Sequence, residues 1–383
     1  MRRIKVIHVP TTTAGGLGRS VLLMAKGLDP ARYEVSVAFG PGYPMDQWFV
    51  EAGFRVFRVR MRRGLHPVNL LGLWDLFRLF RRESFDVVHA HSSVAGVLAR
   101  LAARLSGVPV VIFTLHGYAS LDVRRSALRP FLWMVEKLMD RFTDYYAAIC
   151  SDVEQTWIAR GIVSPERVAV IYNGVDPETV CRPIDPDAKR AELNIPLNAP
   201  IIGTIGRLEP QKATDHLVRV FPSILSVFPD AHLVIVGNGP LYRRTCGLVG
   251  ELGLSARVHL LGWREDATDL IAIMDVFCLP SLREGFSVAL LEAMAHARPI
   301  VCTRVAGNPE AVADGETGLL VPVADPAALS KALLELLRER EIAREMGRRG
   351  RERLIQRFTA RKMGEEYSRL YERVVRQRGL ALE

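Results

Sequence analysis

Apolar positions along this chain alternate between short β-branched runs and longer helical segments, and the alternation passes through two cycles. The first run, Ile4 to Val9, is followed by Thr11-Thr12-Thr13-Ala14-Gly15-Gly16-Leu17-Gly18 and then by a helical pattern from Ser20 to Leu28. A strand, a glycine turn and a helix in that order make the opening unit of a nucleotide-binding fold. Runs at 34–39, 86–89, 108–113 and 145–149 follow, separated by helical segments, which predicts a parallel sheet covered on both faces. Residues 177–200 then carry five prolines and read as a linker. A second cycle begins at Ile201, with strands predicted at 201–205, 232–236, 257–260, 276–279, 299–302 and 318–321.

The expectation is two doubly wound α/β domains, 1–176 and 201–360, facing a cleft, with 361–383 a charged helix returning to the first. Ligands of such sheets bind outside the carboxyl ends of the strands, so the loops there are where chemistry is sought.

Composition adds boundaries. Apolar residues make 49% and charged residues 24%, which excludes a disordered or fibrous chain. The five cysteines, Cys150, Cys181, Cys246, Cys278 and Cys302, have no C-x-x-C spacing, so buried free thiols are expected rather than a zinc site or disulfide framework. Met1-Arg2-Arg3-Ile4-Lys5 imitates a signal-peptide start, but the apolar stretch behind it ends at Pro10, and no run reaches the ~18–20 residues of a membrane span. A cytoplasmic location is expected, with peripheral contact at the inner membrane face as an option. The net charge of +9 is uneven: residues 1–180 hold 23 basic and 16 acidic residues.

Two loops concentrate the candidate chemistry. In Pro280-Ser281-Leu282-Arg283-Glu284-Gly285-Phe286-Ser287, a strand ends, a glycine loop follows, and an apolar helix begins near Ser287. Backbone N–H groups at a helix start suit a phosphate. Glu284 and Glu292 are suited to hydroxyls at opposite ends of a nucleoside-diphosphate sugar; a solvated Glu284 with a helix-capping Glu292 is the alternative. A carboxylate within the otherwise apolar 288–295 is costly without a partner, which favours a binding role. Gly206-Arg207-Leu208-Glu209-Pro210-Gln211-Lys212 follows the first strand of the second cycle, where Arg207 and Lys212 together can neutralise a diphosphate.

The Glu284-x7-Glu292 pair, the G-R-L…K segment, Val170-Ile171-Tyr172-Asn173-Gly174-Val175-Asp176, Val236-Gly237-Asn238-Gly239-Pro240 and Gly315-Glu316-Thr317-Gly318-Leu319-Leu320-Val321-Pro322 occur in the order seen in family 4 retaining glycosyltransferases. The chain resembles that family over essentially its whole length. The resemblance implies a GT-B fold of two Rossmann-like domains, with a UDP- or GDP-linked sugar as co-substrate and no cofactor or metal. It also implies that Arg207 and Lys212 bind the diphosphate. Glu284 and the amides of Gly285, Phe286, Ser287 and Val288 would contact the sugar, and Glu292 the ribose. Val236, Asn238, Trp263 and Arg264 would flank the base. From the first domain it implies Gly15 and Gly16 as a phosphate-facing loop and His116 as a contact to the donor sugar.

His89 and His91 read as structural or acceptor-side, and Asn173-Gly174-Val175-Asp176 as the turn closing the first domain. Ala213 stands where many relatives have glycine, and Asn308 replaces an apolar or glycine residue before Pro309-Glu310. The one D-x-D, Asp185-Pro186-Asp187, lies in the proline-rich segment and makes a poor metal site. No Asp or Glu stands out as a nucleophile, so the resemblance implies a front-face reaction.

For the acceptor, residues 55–82 hold eight arginines against one acid, Asp75, interleaved with leucines, Trp74, Phe77 and Phe80. Such a stretch reads either as a membrane-surface helix meeting a lipid-linked acceptor or as an ordinary packed helix with arginines in water. The leading function is hexosyl transfer to a glycan or lipid-linked acceptor in polysaccharide or glycolipid assembly. A nucleotide-sugar epimerase and a non-catalytic sugar-nucleotide-binding protein are the alternatives. Nucleic-acid binding finds no module, and Gly15-Gly16-Leu17-Gly18 lacks the G-x-G-x-x-G spacing of a dehydrogenase.

Overall fold

The computed structural model describes residues 2–11, 15–42, 46–62, 64, 66–117 and 129–379. Thr12, Thr13 and Ala14 of the glycine turn, and Arg63 and Leu65 of the basic stretch, lie outside them. The chain divides into two units, one of Met1–Gly174 with Ala360–Glu383 and one of Val175–Thr359.

The first unit is built on a seven-stranded parallel sheet: β1 (Ile4–Pro10), β2 (Tyr33–Phe39), β3 (Arg55–Arg58), β4 (Val87–His91), β5 (Val110–Leu115), β6 (Tyr145–Ala148) and β7 (Val168–Val170), in the order β3-β2-β1-β4-β5-β6-β7. β4, β5 and β6 are buried at every position, as a sheet with both faces covered requires. The helix Ala360–Gln377 closes one face with Met363, Tyr367, Leu370, Tyr371, Val374 and Val375, an i, i+4, i+7, i+8 stripe that joins the cluster of Val6, Tyr33, Val110 and Ile112. It crosses the helix Gly15–Lys26 closely enough that a Cβ on Gly364 would stand 2.0 Å from the Gly27 carbonyl oxygen.

The second unit carries β8 (Ile201–Ile205), β9 (His232–Val236), β10 (Val258–Leu260), β11 (Val276–Leu279), β12 (Ile300–Thr303) and β13 (Leu319–Val321), all parallel, in the order β10-β9-β8-β11-β12-β13. In each sheet the strand order reverses once, between β1 and β4 and between β8 and β11. Those two points are where a doubly wound sheet opens a binding crevice.

Several expectations change. Segment 177–200 is not a linker: it belongs to the second unit and contains the short helices Pro177–Val180 and Pro186–Glu192. Asp176 and Asp185 accept from the first backbone N–H groups of those helices, with a proline at the first helical position of each. The carboxylate of Asp185 in the D-x-D is thus a helix cap. Gly15 and Gly16 form the first turn of a helix rather than a free loop, and two edge strands, β3 and β7, appear where none was expected. Cys150, Cys278 and Cys302 are buried free thiols, whereas Cys246 is exposed and Cys181 half-buried.

Candidate active site

The loops leaving β8 and β11, the neighbours at the second unit's strand reversal, bring together residues 72 positions apart. The β8 loop runs through Gly206 and Arg207 into a tight turn at Pro210–Lys212, and the β11 loop runs from Pro280 to Ser287. The Gln211 carbonyl accepts from the Leu282 amide at 2.7 Å, which pins one loop to the other. The aliphatic stem of Lys212 passes beside Gly206. Its Nζ meets Glu284 Oε1 at 2.5 Å, and the buried Ser281 hydroxyl donates to the same oxygen at 2.6 Å. The Glu284 side chain is only 8% exposed, so the carboxylate is held by one cation and one hydroxyl at the mouth of the loop.

Immediately after it, Ser287 precedes the helix Val288–Ala295 without donating or accepting a side-chain cap bond. The first N–H groups of that helix therefore end at the site without a side-chain cap, as phosphate recognition at a helix start requires. Glu292, five residues into the helix, is buried. The Gly285 carbonyl accepts from the Gly307 amide at 2.9 Å, tying the loop after β12 to the same place. Asn308 is fully buried and donates from Nδ2 to the Thr303 carbonyl at 3.0 Å, which gives the departure at this position a structural part.

Arg207 is 44% exposed, with Nε against Glu209 at 2.9 Å. The two candidate diphosphate cations are thus each paired with a carboxylate, and a diphosphate arriving here would exchange with those partners. Ala213, directly after Lys212, adopts φ 45° and ψ 38°, the left-handed conformation that explains glycine's advantage there.

The loops expected to flank a base adjoin this region. The Gly237 amide donates to the Gly262 carbonyl at 2.7 Å, and a Cβ on Gly237 would collide with the Gly206 carbonyl. Asn238 turns its side-chain oxygen to the Gly239 amide, Val236 is buried, and Trp263 is 45% exposed. Arg264 is committed elsewhere: its guanidinium spans Glu192 and Asp266, with Lys189 on the same Asp266. That cluster braces the helix Pro186–Glu192, so Arg264 carries a structural load beside the expected base-flanking position.

In the first unit, the strand reversal between β1 and β4 carries a set of histidines. His116 follows β5, and its Nε2 lies 3.0 Å from His91 Nδ1; His91 Nε2 lies 3.0 Å from His8 Nδ1. His89 is held between Tyr371 Oη and Thr114 Oγ1, at 2.6 Å each. His8, His89 and His91 have no exposed surface. Burial pushes His8 and His116 down to about 3, and His89 and His91 well below the ordinary imidazole value, so all four rings are neutral. Sequence reading passed over His8; the His89-x-His91 spacing, which puts both rings on one face of a strand, was the available signal. Asn173 accepts from Ser20 at 2.6 Å, so the NGVD segment anchors the helix that carries Gly15 and Gly16.

Two parallel sheets, each reversing once, with paired loops at the second reversal, define the GT-B class. Among solved structures, Anabaena HepE in complex with UDP-glucose superposes with a TM-score of 0.85 at 20% identity, over 97% of this chain and all of that one. Residues 14–179 match the profile of glycosyltransferase family 4, and residues 185–353 that of glycosyl transferases group 1. Over 375 residues the chain is 28% identical to the UDP-Gal:alpha-D-GlcNAc-diphosphoundecaprenol alpha-1,3-galactosyltransferase of Escherichia coli, covering 96% of this chain and 97% of that one. The alpha-maltose-1-phosphate synthase of Mycolicibacterium smegmatis is 32% identical over 338 residues, covering 82% and 85%. The chain belongs to glycosyltransferase family 4, and it is a glycosyltransferase.

Proposed function

We propose that this enzyme moves a hexosyl group, with retention of anomeric configuration and without a metal ion, from a nucleoside-diphosphate sugar to a glycan or lipid-linked acceptor in polysaccharide or glycolipid assembly. The observation that carries the reading is the Lys212–Glu284–Ser281 cluster at the β8/β11 reversal beside the helix start at Val288. In this reading Lys212 leaves Glu284 for the diphosphate, Arg207 joins it, and the released carboxylate accepts a sugar hydroxyl. Glu292 takes the ribose, and His116 donates to the donor sugar.

The acceptor oxygen bonds to the anomeric carbon on the face from which the phosphate oxygen departs. That departing oxygen takes the acceptor's proton, and the nucleoside diphosphate leaves. Arg207 and Lys212 supply the charge that stabilises it, so positioning and electrostatics do the catalytic work. The UDP-galactose named for the Escherichia coli relative and the UDP-glucose bound to HepE support uracil as the base.

For the acceptor, the helix Val68–Glu83 exposes Leu70, Leu71 and Trp74 beside exposed Arg78, Arg81 and Arg82. Leu71, Trp74, Arg78 and Arg81 follow helical spacing and share a face, the pattern of an element lying on an anionic membrane surface. Among the described residues no helix is long and apolar enough to cross a membrane. Thermal shift against UDP- and GDP-linked sugars tests the donor: the true one raises Tm, and the rise grows with the logarithm of its concentration above Kd. No shift with any of them at millimolar concentration would remove the reading.

A further inference from the structure

We propose that His91, backed by His8, is a positioning residue that fixes His116 as a neutral imidazole presenting Nδ1–H away from the ladder. The proposal rests on the reading above only in taking the donor sugar as what that N–H meets.

The argument is a proton count. Three rings, His8, His91 and His116, are joined by two ring-to-ring hydrogen bonds, His8 Nδ1 to His91 Nε2 and His91 Nδ1 to His116 Nε2, each 3.0 Å. A neutral imidazole carries one proton and one lone pair, and each bond consumes one of each. The three protons therefore fill the two bonds and leave one over, at one end of the ladder. One end is His8 Nε2, which is buried and has no hydrogen-bond partner. The other is His116 Nδ1, on a residue that is half-buried.

An orphaned buried N–H is the rarer defect in folded proteins, and an under-satisfied acceptor is met more often. The leftover proton accordingly sits on His116 Nδ1, and every N–H of the ladder points from His8 toward His116. A partner for that donor is an oxygen acceptor, a sugar hydroxyl or a phosphate oxygen.

His89 supplies the wall. Its ring centroid lies 4.2 Å from that of His91, and its two nitrogens are committed to Tyr371 and Thr114, with Thr114 Oγ1 also 3.4 Å from Tyr367 Oη. The helix Ala360–Gln377 thereby locks His89, and His89 limits tilt of His91. Ligand atoms of His8, His89 and His91 also lie within 4.8 Å of one another, which raises the alternative of a metal site. Both nitrogens of His89 and both of His91 are already hydrogen-bonded, so a metal taking one nitrogen from each ring would have to displace one bond of His89 and one of His91, breaking the ladder.

The test is long-range 1H–15N correlation on the full-length protein labelled with 15N-histidine, with single substitutions used for assignment. At pH 7 the His116 Nδ1 is expected to be protonated and its Nε2 bare, the reverse of the tautomer free histidine prefers. His91→Asn sets an amide near the Nδ1 position and keeps this tautomer. His91→Leu releases it, and His116 moves toward the Nε2–H form. Transfer kinetics follow: His91→Leu lowers kcat about tenfold, the scale of one neutral hydrogen bond, with the donor KM little changed, and His91→Asn recovers most of it.

An Nε2–H His116 in the unsubstituted protein overturns the proposal, even if His91→Leu fails to fold. An unchanged His116 tautomer in a folded His91→Leu also overturns it. So does stoichiometric Zn2+ that shifts the His8 and His89 signals together. The tautomer is read whether or not the protein transfers sugar, so failure of the ladder and failure of the proposed function are separately visible.

Discussion

Lowering the pH from 7 to 5 strains the first unit through its buried histidines. His8, His89 and His91 are fully buried and neutral in the folded chain, whereas in the unfolded chain each takes up a proton near 6.5. Below that value the unfolded state binds more protons, so stability falls as pH falls and is intact above it. The loss per ring, RT ln(1 + 10^(6.5−pH)), is roughly 0.2 kcal/mol at pH 7 and about 2 kcal/mol at pH 5. Three rings together give about 6 kcal/mol, comparable to the whole stability of many domains. His116 is partly exposed and is left out of the sum. Asp75, held below the usual carboxylate range by Arg60, gives up its contribution only at lower pH.

Four of the five tryptophans, Trp48, Trp74, Trp133 and Trp157, lie in the first unit, so fluorescence-monitored urea unfolding reads it. With m of about 2–3 kcal/mol/M, the midpoint should drop by roughly 2–3 M between pH 7 and pH 5, and stay level from pH 7 to 8. A midpoint shift below about 0.5 M would mean that these rings take up protons without unfolding, and would refute the reasoning.

Other expectations are local. Ala213→Gly relieves a left-handed alanine at the cost of a more flexible unfolded chain, and should raise stability by up to about 1 kcal/mol; a lower Tm contradicts this. Gly364→Ala forces a Cβ to within 2.0 Å of the Gly27 carbonyl oxygen and should cost roughly 3 kcal/mol in a thermal or urea melt, whereas a neutral result would mean the helix crossing is loose. Trp74→Ala should weaken co-sedimentation with anionic vesicles several-fold, and salt should weaken the parent protein's binding; indifference to both substitution and salt removes the membrane surface.

The strands that build both sheets were legible because parallel strands buried on both faces are uninterrupted apolar runs. β3 was not: its sequence, Arg-Val-Phe-Arg, sits at a sheet edge with both arginines exposed, and those charges merged it with the basic stretch that follows. β7 is another edge strand of three residues. The proline count misread 177–200 because Pro177 and Pro186 open helices behind capping aspartates, and an Asp-Pro pair was the signal to weigh. At the candidate site, Arg207, Lys212 and Glu284 are singled out by loops at strand ends and Glu292 by its place in an otherwise apolar helix. Their mutual geometry was not readable, since the Lys212–Glu284 pair depends on β8 and β11 becoming neighbours across the strand reversal. The same holds for the histidine ladder, whose members are 25 and 83 residues apart and meet only through the register of β1, β4 and β5.

The central claim is retaining transfer from a nucleotide-sugar whose diphosphate is met by Lys212. It is tested by incubating the protein with the donor found by thermal shift and a lipid-linked or glycan acceptor in chelator, and following the anomeric proton by NMR. The account predicts a product with the donor's own anomeric configuration, formed without added metal. It also predicts that folded Lys212→Ala loses about 100- to 1,000-fold in kcat, as removal of a charge-stabilising donor does elsewhere. A product of inverted configuration, or near-normal transfer by Lys212→Ala, would contradict it.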